Sequence, residues 1–292
     1  MISQLRFKRT KFKILHERFM KNYLPLFFTV CSFFAFAQES TDAYDVFLIA
    51  GQSNTLNGCC KDPAIQKMDD SIMQLGRYGE DSLEVILAKE PLDHHDNTRK
   101  ERLDRIGFAM TFAKLYKETY LEEGRKILLI PTGHGGTGFI DGHWNPGDDY
   151  YEDAIMRVNY VFEKYPNSEL KAILWQQGEK DVMKKSNHYK ADLDTMIVQI
   201  RRDIKSASIS TPFFMGGMVP YWVSQKKRRE VQQKDISQTP KRHLNVWYVS
   251  PHDPFTISKK DNDSDMVHYD AKGQIELGKR YFTQYQLYLE TD

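Results

Sequence analysis

The chain has 292 residues, with 41 basic side chains against 40 acidic ones, which is length for one large domain or two small ones. The balance is uneven: residues 1–37 hold seven Lys/Arg (Arg6, Lys8, Arg9, Lys11, Lys13, Arg18, Lys21) and one acid, Glu17, leaving 34 basic and 39 acidic residues and a formal charge of −5 beyond them. A mildly acidic body argues against nucleic acid as the main partner.

The N-terminus has the layout of a secretory signal peptide. A basic stretch precedes the apolar run Leu24–Phe34, and Ala35-Phe36-Ala37 then places small residues at the −3 and −1 positions of a cleavage site before Gln38. The apolar run falls short of the ~20 residues a spanning helix needs and contains Pro25, so export with cleavage is expected rather than anchoring, and Met20 is an alternative start. The mature chain is expected to be one domain, residues 38–292, secreted or periplasmic. Cys31 leaves with the signal. Cys59 and Cys60 are adjacent, could bridge each other only under strain, and lack the paired ligands of a zinc site, so both are expected as small half-buried loop residues.

The first predicted strand is 44–50, and Gly51-Gln52-Ser53-Asn54 follows it. Residues 55–105 then interrupt the pattern. They are polar, contain Gly58, Gly76 and Gly79, and hold Asp93-His94-His95-Asp96, read as a solvated loop rather than a metal site. So long a connection in a compact domain is expected to be functional. A helix is predicted over 106–121 and a strand over 126–131, followed by His134-Gly135-Gly136-Thr137-Gly138. The helix 150–165 leads to the strand 171–176 and to Gln176-Gln177-Gly178-Glu179-Lys180-Asp181. In the helix 187–206, Leu193, Ile197, Ile200 and Ile204 recur at three- and four-residue spacing and form one apolar stripe. The strand 212–219, the helix 225–236 and the strand 245–250 follow; the basic runs Lys226–Arg229 and Lys241-Arg242 read as solvated surface. Asp265-Met266-Val267-His268 precedes the last helix, 271–289. Asp261, Asp263 and Asp265 lack the glycine and terminal glutamate of a calcium loop.

Most of these strands are continuous apolar runs, as strands buried on both faces require, and β–α alternation predicts a parallel sheet covered by helices on both sides. In such sheets chemistry collects at the carboxyl ends of the strands, where all four polar motifs fall. A serine hydroxyl needs a base within hydrogen-bond reach and a third group to orient that base. Asp265 and His268 supply both from one segment. The order Ser, Asp, His is that of α/β-type hydrolases, although no G-x-S-x-G elbow is present. His134, His143, His188 and His252 are rival bases, but none has an aspartate three residues upstream in such a block. Glu179 and Asp181 fit either a glycosidase acid/base pair or a brace for the loop that presents Gln177. Trp144 fits either a sugar-stacking surface or the core.

Together the blocks resemble those of the SGNH hydrolases, in particular carbohydrate esterases of the sialic-acid-specific acetylesterase and acetyl xylan esterase type. The resemblance rests on Gly-Gln-Ser-Asn at 51–54, on Gly135-Gly136-Thr137 followed by Trp144, and on Trp175-Gln176-Gln177-Gly178-Glu179-Lys180-Asp181. It is completed by Asp265 and His268, then Gly273 and Leu277-Gly278-Lys279-Arg280. It covers essentially the whole mature chain, in order. It implies a three-layer α/β/α fold around a mostly parallel five-stranded sheet of flavodoxin-like type. It further implies Ser53 as nucleophile, His268 as base and Asp265 as its orienter. The implied oxyanion hole comprises the Ser53 N–H, a glycine N–H, with Gly136 chosen over Gly135, and the Gln177 amide. Gln52, Asn54, Trp144 and Glu179 are implied as substrate-binding or loop-supporting residues. The implied substrate is an O-acetylated carbohydrate, with no metal and no organic cofactor.

Overall fold

Residues 42–59, 68–95, 103–258 and 265–291 are described by the computed structural model, and they belong to one unit, Ser40–Asp292. The proposed signal segment, Cys60, Asp96, Asp261 and Asp263 lie outside the described residues. No described helix is long and apolar enough to cross a membrane.

Strand β1 (Tyr44–Gly51) is buried at every position and forms the middle of the sheet. It runs parallel to β4 (Lys126–Pro131) on one side and to β5 (Glu169–Gln176) on the other, with Leu48 opposite Ile130 and Ile173. Beyond β5 lie β6 (Phe213–Gly216) and β7 (Val246–Val249), both parallel. These five strands are the ones legible in the sequence.

The sheet has seven strands rather than five, in the order β3-β2-β4-β1-β5-β6-β7. The two additional strands come from the stretch read as a long loop. Strand β2 (Ile72–Leu75) pairs parallel to β4, and β3 (Val85–Leu87) closes the edge antiparallel to β2. Both are short. In β2 the polar Gln74 is fully buried, with its Oε1 accepting the Asp93 N–H at 2.8 Å, so the strand lacks a continuous apolar signature.

Helices α1 (Ala109–Tyr120), α2 (Asp149–Lys164), α3 (Glu179–Met183), α4 (Tyr189–Asp203), α5 (Pro220–Ser224), α6 (Lys227–Ser237) and α7 (Ala271–Leu289) complete the described fold. Successive strand residues point to opposite faces, and this sorts the aromatic side chains between two helical layers. Phe47 meets Phe112 of α1 at 5.0 Å and Tyr285 of α7 at 6.1 Å, and Phe108 stacks on Tyr281 at 4.2 Å. On the other face Trp175 meets Trp144 at 5.0 Å and Phe139 at 6.0 Å, and Phe139 meets Tyr189 of α4 at 5.8 Å. The stripe of Leu193, Ile197 and Ile200 on α4, with Ile204 just past its end, is buried as its spacing predicts.

Candidate active site

The chain turns sharply where β1 ends. Gly51 has φ +126°, and a Cβ there would lie 2.2 Å from the Gln176 carbonyl oxygen of the neighbouring strand, so glycine alone fits. The Gln52 N–H still bonds the Gln176 carbonyl at 2.9 Å, and Ser53 then opens a short 3-10 turn, Ser53–Thr55. As the first residue of that turn, Ser53 has an N–H with no acceptor among the described residues.

The structure brings Ser53, His268 and Asp265 together across 212 or more residues of sequence. Ser53 Oγ lies 2.8 Å from His268 Nε2, and His268 Nδ1 lies 2.8 and 3.0 Å from the two Asp265 carboxylate oxygens. The Asp265 carboxylate also accepts the His268 backbone N–H at 3.3 Å. A carboxylate can only accept, so Nδ1 carries its hydrogen toward Asp265 and Nε2 is left to accept from Ser53.

Asn54 fastens this arrangement. Its Oδ1 accepts the Tyr269 N–H at 3.0 Å, and its Nδ2 donates to the Val267 carbonyl at 3.0 Å and to Glu179 Oε1 at 2.6 Å. The Gln274 amide donates to the Asn54 carbonyl at 3.0 Å, tying in α7. Gln52 plays the matching part toward β5, with Oε1 accepting from the Lys180 N–H at 3.1 Å and the Gly178 N–H at 3.4 Å. Both side chains are buried beneath the serine and hold loops together.

Glu179 and Asp181 are fully buried. Burial pushes the Glu179 carboxyl up from its ordinary range, against the Asn54 hydrogen bond that favours the ionised form. Burial likewise raises Asp181, which accepts from the Ile140 N–H at 2.9 Å, the Phe139 N–H at 3.3 Å and Gln177 Nε2 at 2.5 Å. Of the two readings left open by the sequence, this placement fits the brace.

Three site expectations change in detail. Gly135 is the glycine shown beside the serine: a Cβ on it would lie 3.8 Å from Ser53 Cβ, whereas a Cβ on Gly136, at φ +72°, would meet nothing within 4 Å. The Gln177 amide is engaged elsewhere, donating to Asp181 and, at 3.4 Å, to the Thr137 carbonyl, while its Oε1 is buried without a partner among the described residues. Trp144 is only 1 % exposed and donates Nε1–H to Thr137 Oγ1 at 2.9 Å, so it belongs to the core and is no sugar-stacking surface.

Two further readings are revised. Cys59 is disulfide-bonded, contrary to the expectation of an unpaired loop residue, and its bonding partner is not among the described residues. Its carbonyl accepts the Ala271 N–H at 2.5 Å, which joins the segment after the serine to the start of α7. His94, read as part of a solvated loop, is buried, and its Nδ1 accepts the Gly133 N–H at 3.0 Å. Among the described residues, no group of three or more His, Cys, Asp or Glu converges as a metal site would.

The fold resembles that of NanS, with a TM-score of 0.73 and 16% identity over 87% of this chain and 99% of that one. It also resembles an Arabidopsis thaliana protein, AT4G34215, with a TM-score of 0.68 and 23% identity over 86% and 99% of the two chains. A carbohydrate acetylesterase from Xanthomonas citri, XAC1771, superposes with a TM-score of 0.58 and 14% identity over 85% of this chain and 57% of that one. By sequence the chain is 28% identical over 180 residues to the probable carbohydrate esterase At4g34215 of Arabidopsis thaliana, a match covering 56% of this chain and 65% of that relative's length. The profile of the family described as carbohydrate esterase, sialic acid-specific acetylesterase, matches residues 43–287. With that match over nearly the whole folded unit, the chain belongs to the sialic acid-specific acetylesterase family of carbohydrate esterases, within the SGNH type.

Proposed function

We propose that the protein is an exported serine esterase that removes O-acetyl groups from a carbohydrate through an acyl-enzyme. The observation that carries this reading is the continuous chain Ser53 Oγ–His268 Nε2–Asp265, at 2.8 Å for each link, at the carboxyl end of β1. His268 takes the Ser53 proton as Oγ attacks the ester carbonyl. Asp265 stabilises the imidazolium that results. Collapse of the tetrahedral intermediate breaks the ester bond, and the sugar hydroxyl leaves with the proton from His268. Water, deprotonated by the same histidine, attacks the acyl-serine and releases acetate. No step calls for a metal or an organic cofactor.

The negative charge of the intermediate falls on the former carbonyl oxygen, and preorganised donors there supply the largest single stabilisation. The Ser53 N–H, which has no acceptor among the described residues, and the N–H of the neighbouring Gly135 are the backbone donors we assign. Gln177 joins them by giving up its longer bond, the 3.4 Å contact to Thr137. Asp181 retains the other amide hydrogen and keeps the side chain aimed.

Reaction with a fluorophosphonate, followed by peptide mapping to Ser53, tests the nucleophile. Acetate release from acetylated xylan oligomers and from O-acetyl sialic acids tests the substrate class. Failure of labelling favours a glycan-binding protein on the same fold, and acetyl transfer to a second sugar in preference to water favours an acyltransferase. Export is supported by the basic, then apolar, then Ala-Phe-Ala order of residues 1–37, and N-terminal sequencing of the protein from a producing cell should begin at Gln38.

A further inference from the structure

Beside the serine lies a group of half-exposed rings that the catalytic chain does not use. Tyr150, near the start of α2, stands at its centre. His134 stacks on Tyr150 with ring centroids 4.6 Å apart and planes at 15°, His95 meets Tyr150 edge-on at 4.7 Å, and His143 lies 5.0 Å away. His95 and His134 also meet each other at 5.0 Å. All four are partly exposed, while Trp144 supports the cluster from below, 6.1 Å from Tyr150 and itself buried.

The backbone places this group next to the nucleophile. The His134 N–H bonds the Gly51 carbonyl at 3.0 Å, two residues before Ser53, and His134 immediately precedes Gly135, the residue that approaches Ser53. The His95 N–H bonds the Gly133 carbonyl at 3.0 Å, which fastens the other side of the group to the same loop. An ester poised at Ser53 therefore has the loop that carries these rings as its neighbour.

We propose that the ring cluster of Tyr150, His134 and His143 receives the pyranose bearing the acyl group against the ring edges and outer faces that the stack leaves exposed. The inference rests on the esterase reading above and deepens it by naming the surface that selects a sugar as leaving group. A pyranose offers a flat patch of C–H groups bounded by hydroxyls, and flat rings with polar edges complement both. The histidines do not converge as metal ligands: His134 Nδ1 faces the Gly135 carbonyl at 3.0 Å, and His143 Nδ1 faces Asp149 at 3.0 Å. Burial, with Arg77 nearby, lowers the His95 pKa. Arg77 itself is held by Asp153 at 2.6 Å.

The test compares kcat/KM on xylose tetraacetate and on 9-O-acetyl sialic acid with kcat/KM on ethyl acetate, which has no ring. Tyr150→Leu and His134→Leu should lower the sugar-to-ethyl-acetate ratio by about tenfold, mainly through KM, and Tyr150→Phe should keep it within about threefold. An unchanged ratio in both leucine variants overturns the proposal, and so does an equal loss in Tyr150→Phe. Should Tyr150→Leu fail to fold, His143→Leu replaces it, because that side chain is 30% exposed. If the wild-type protein hydrolyses none of these esters, the esterase reading fails by itself. Saturation transfer from the protein to methyl β-xyloside, which carries no ester, then decides the proposal. A signal in the wild-type protein that is lost in Tyr150→Leu supports it, and equal signals overturn it.

Discussion

Asn54 accepts the Tyr269 N–H on its side-chain Oδ1 at 3.0 Å, so the residue after the serine grips the residue after the histidine. Ser53 and His268 come from opposite ends of the folded unit, and this bond sets the spacing between them. The same side chain donates to Glu179, the first residue of α3, which brings three segments to one point.

Replacing Asn54 by Ala should therefore harm both stability and turnover. The fully buried Glu179 carboxyl would lose the Asn54 amide, a loss of about 1–3 kcal/mol for a buried polar group without its partner. The effect of the double variant Asn54→Ala/Glu179→Gln should differ from the sum of the two single effects, because the pair interacts directly. Denaturant melts of all four proteins measure this, and strict additivity would contradict it.

Glu179→Gln alone gives a pH-dependent outcome. The folded-state pKa of Glu179 is raised, so the stability linked to its proton is present below the unfolded carboxylate value and is lost as pH rises through the folded value. Glutamine keeps an acceptor for Asn54 and carries no charge. The variant should melt at or above the wild-type temperature near pH 7 and lose that advantage near pH 4. A glycosidase would instead lose its activity here, so turnover measured alongside the melts distinguishes the two chemistries.

Ser53→Ala should lower acetate release from p-nitrophenyl acetate by ~10³-fold or more while the protein still folds. A thermal melt run in parallel checks the fold. Retention of a tenth of the wild-type rate would rule out Ser53 as the nucleophile.

Asp265→Asn should lower kcat by ~10²–10³-fold, less than His268→Ala does. Asparagine can still bond Nδ1, but it neither enforces the tautomer nor stabilises the imidazolium. The Asp265 side chain is 28% exposed, so water supplies part of what is lost. Full activity in the Asn variant would place the orienting group elsewhere.

For Gln177→Ala, the expected loss is ~10²-fold in kcat with KM nearly unchanged, the mark of a bond made chiefly in the transition state. If Gln177 only braces the Thr137 carbonyl against Asp181, the variant should lose stability with a much smaller change in kcat. Steady-state kinetics and a melt of the same preparation separate these outcomes.

Five strands, the long helices and the polar blocks at the strand ends were legible in the sequence. Apolar runs and helical spacing are local signals, and the blocks are contiguous. The order Ser53, Asp265, His268 also pointed to a shared site, though their 2.8 Å contacts exist only once β1 and the segment before α7 meet. Tertiary structure alone decided what depends on which side of a loop faces inward. It buried Trp144 against Trp175, brought Gly135 beside the serine, and added β2 and β3, whose few residues carry too weak a pattern to read. It also assembled His95, His134, His143 and Tyr150, which share no period along the chain, because the helix and loops that carry them cover the same end of one sheet.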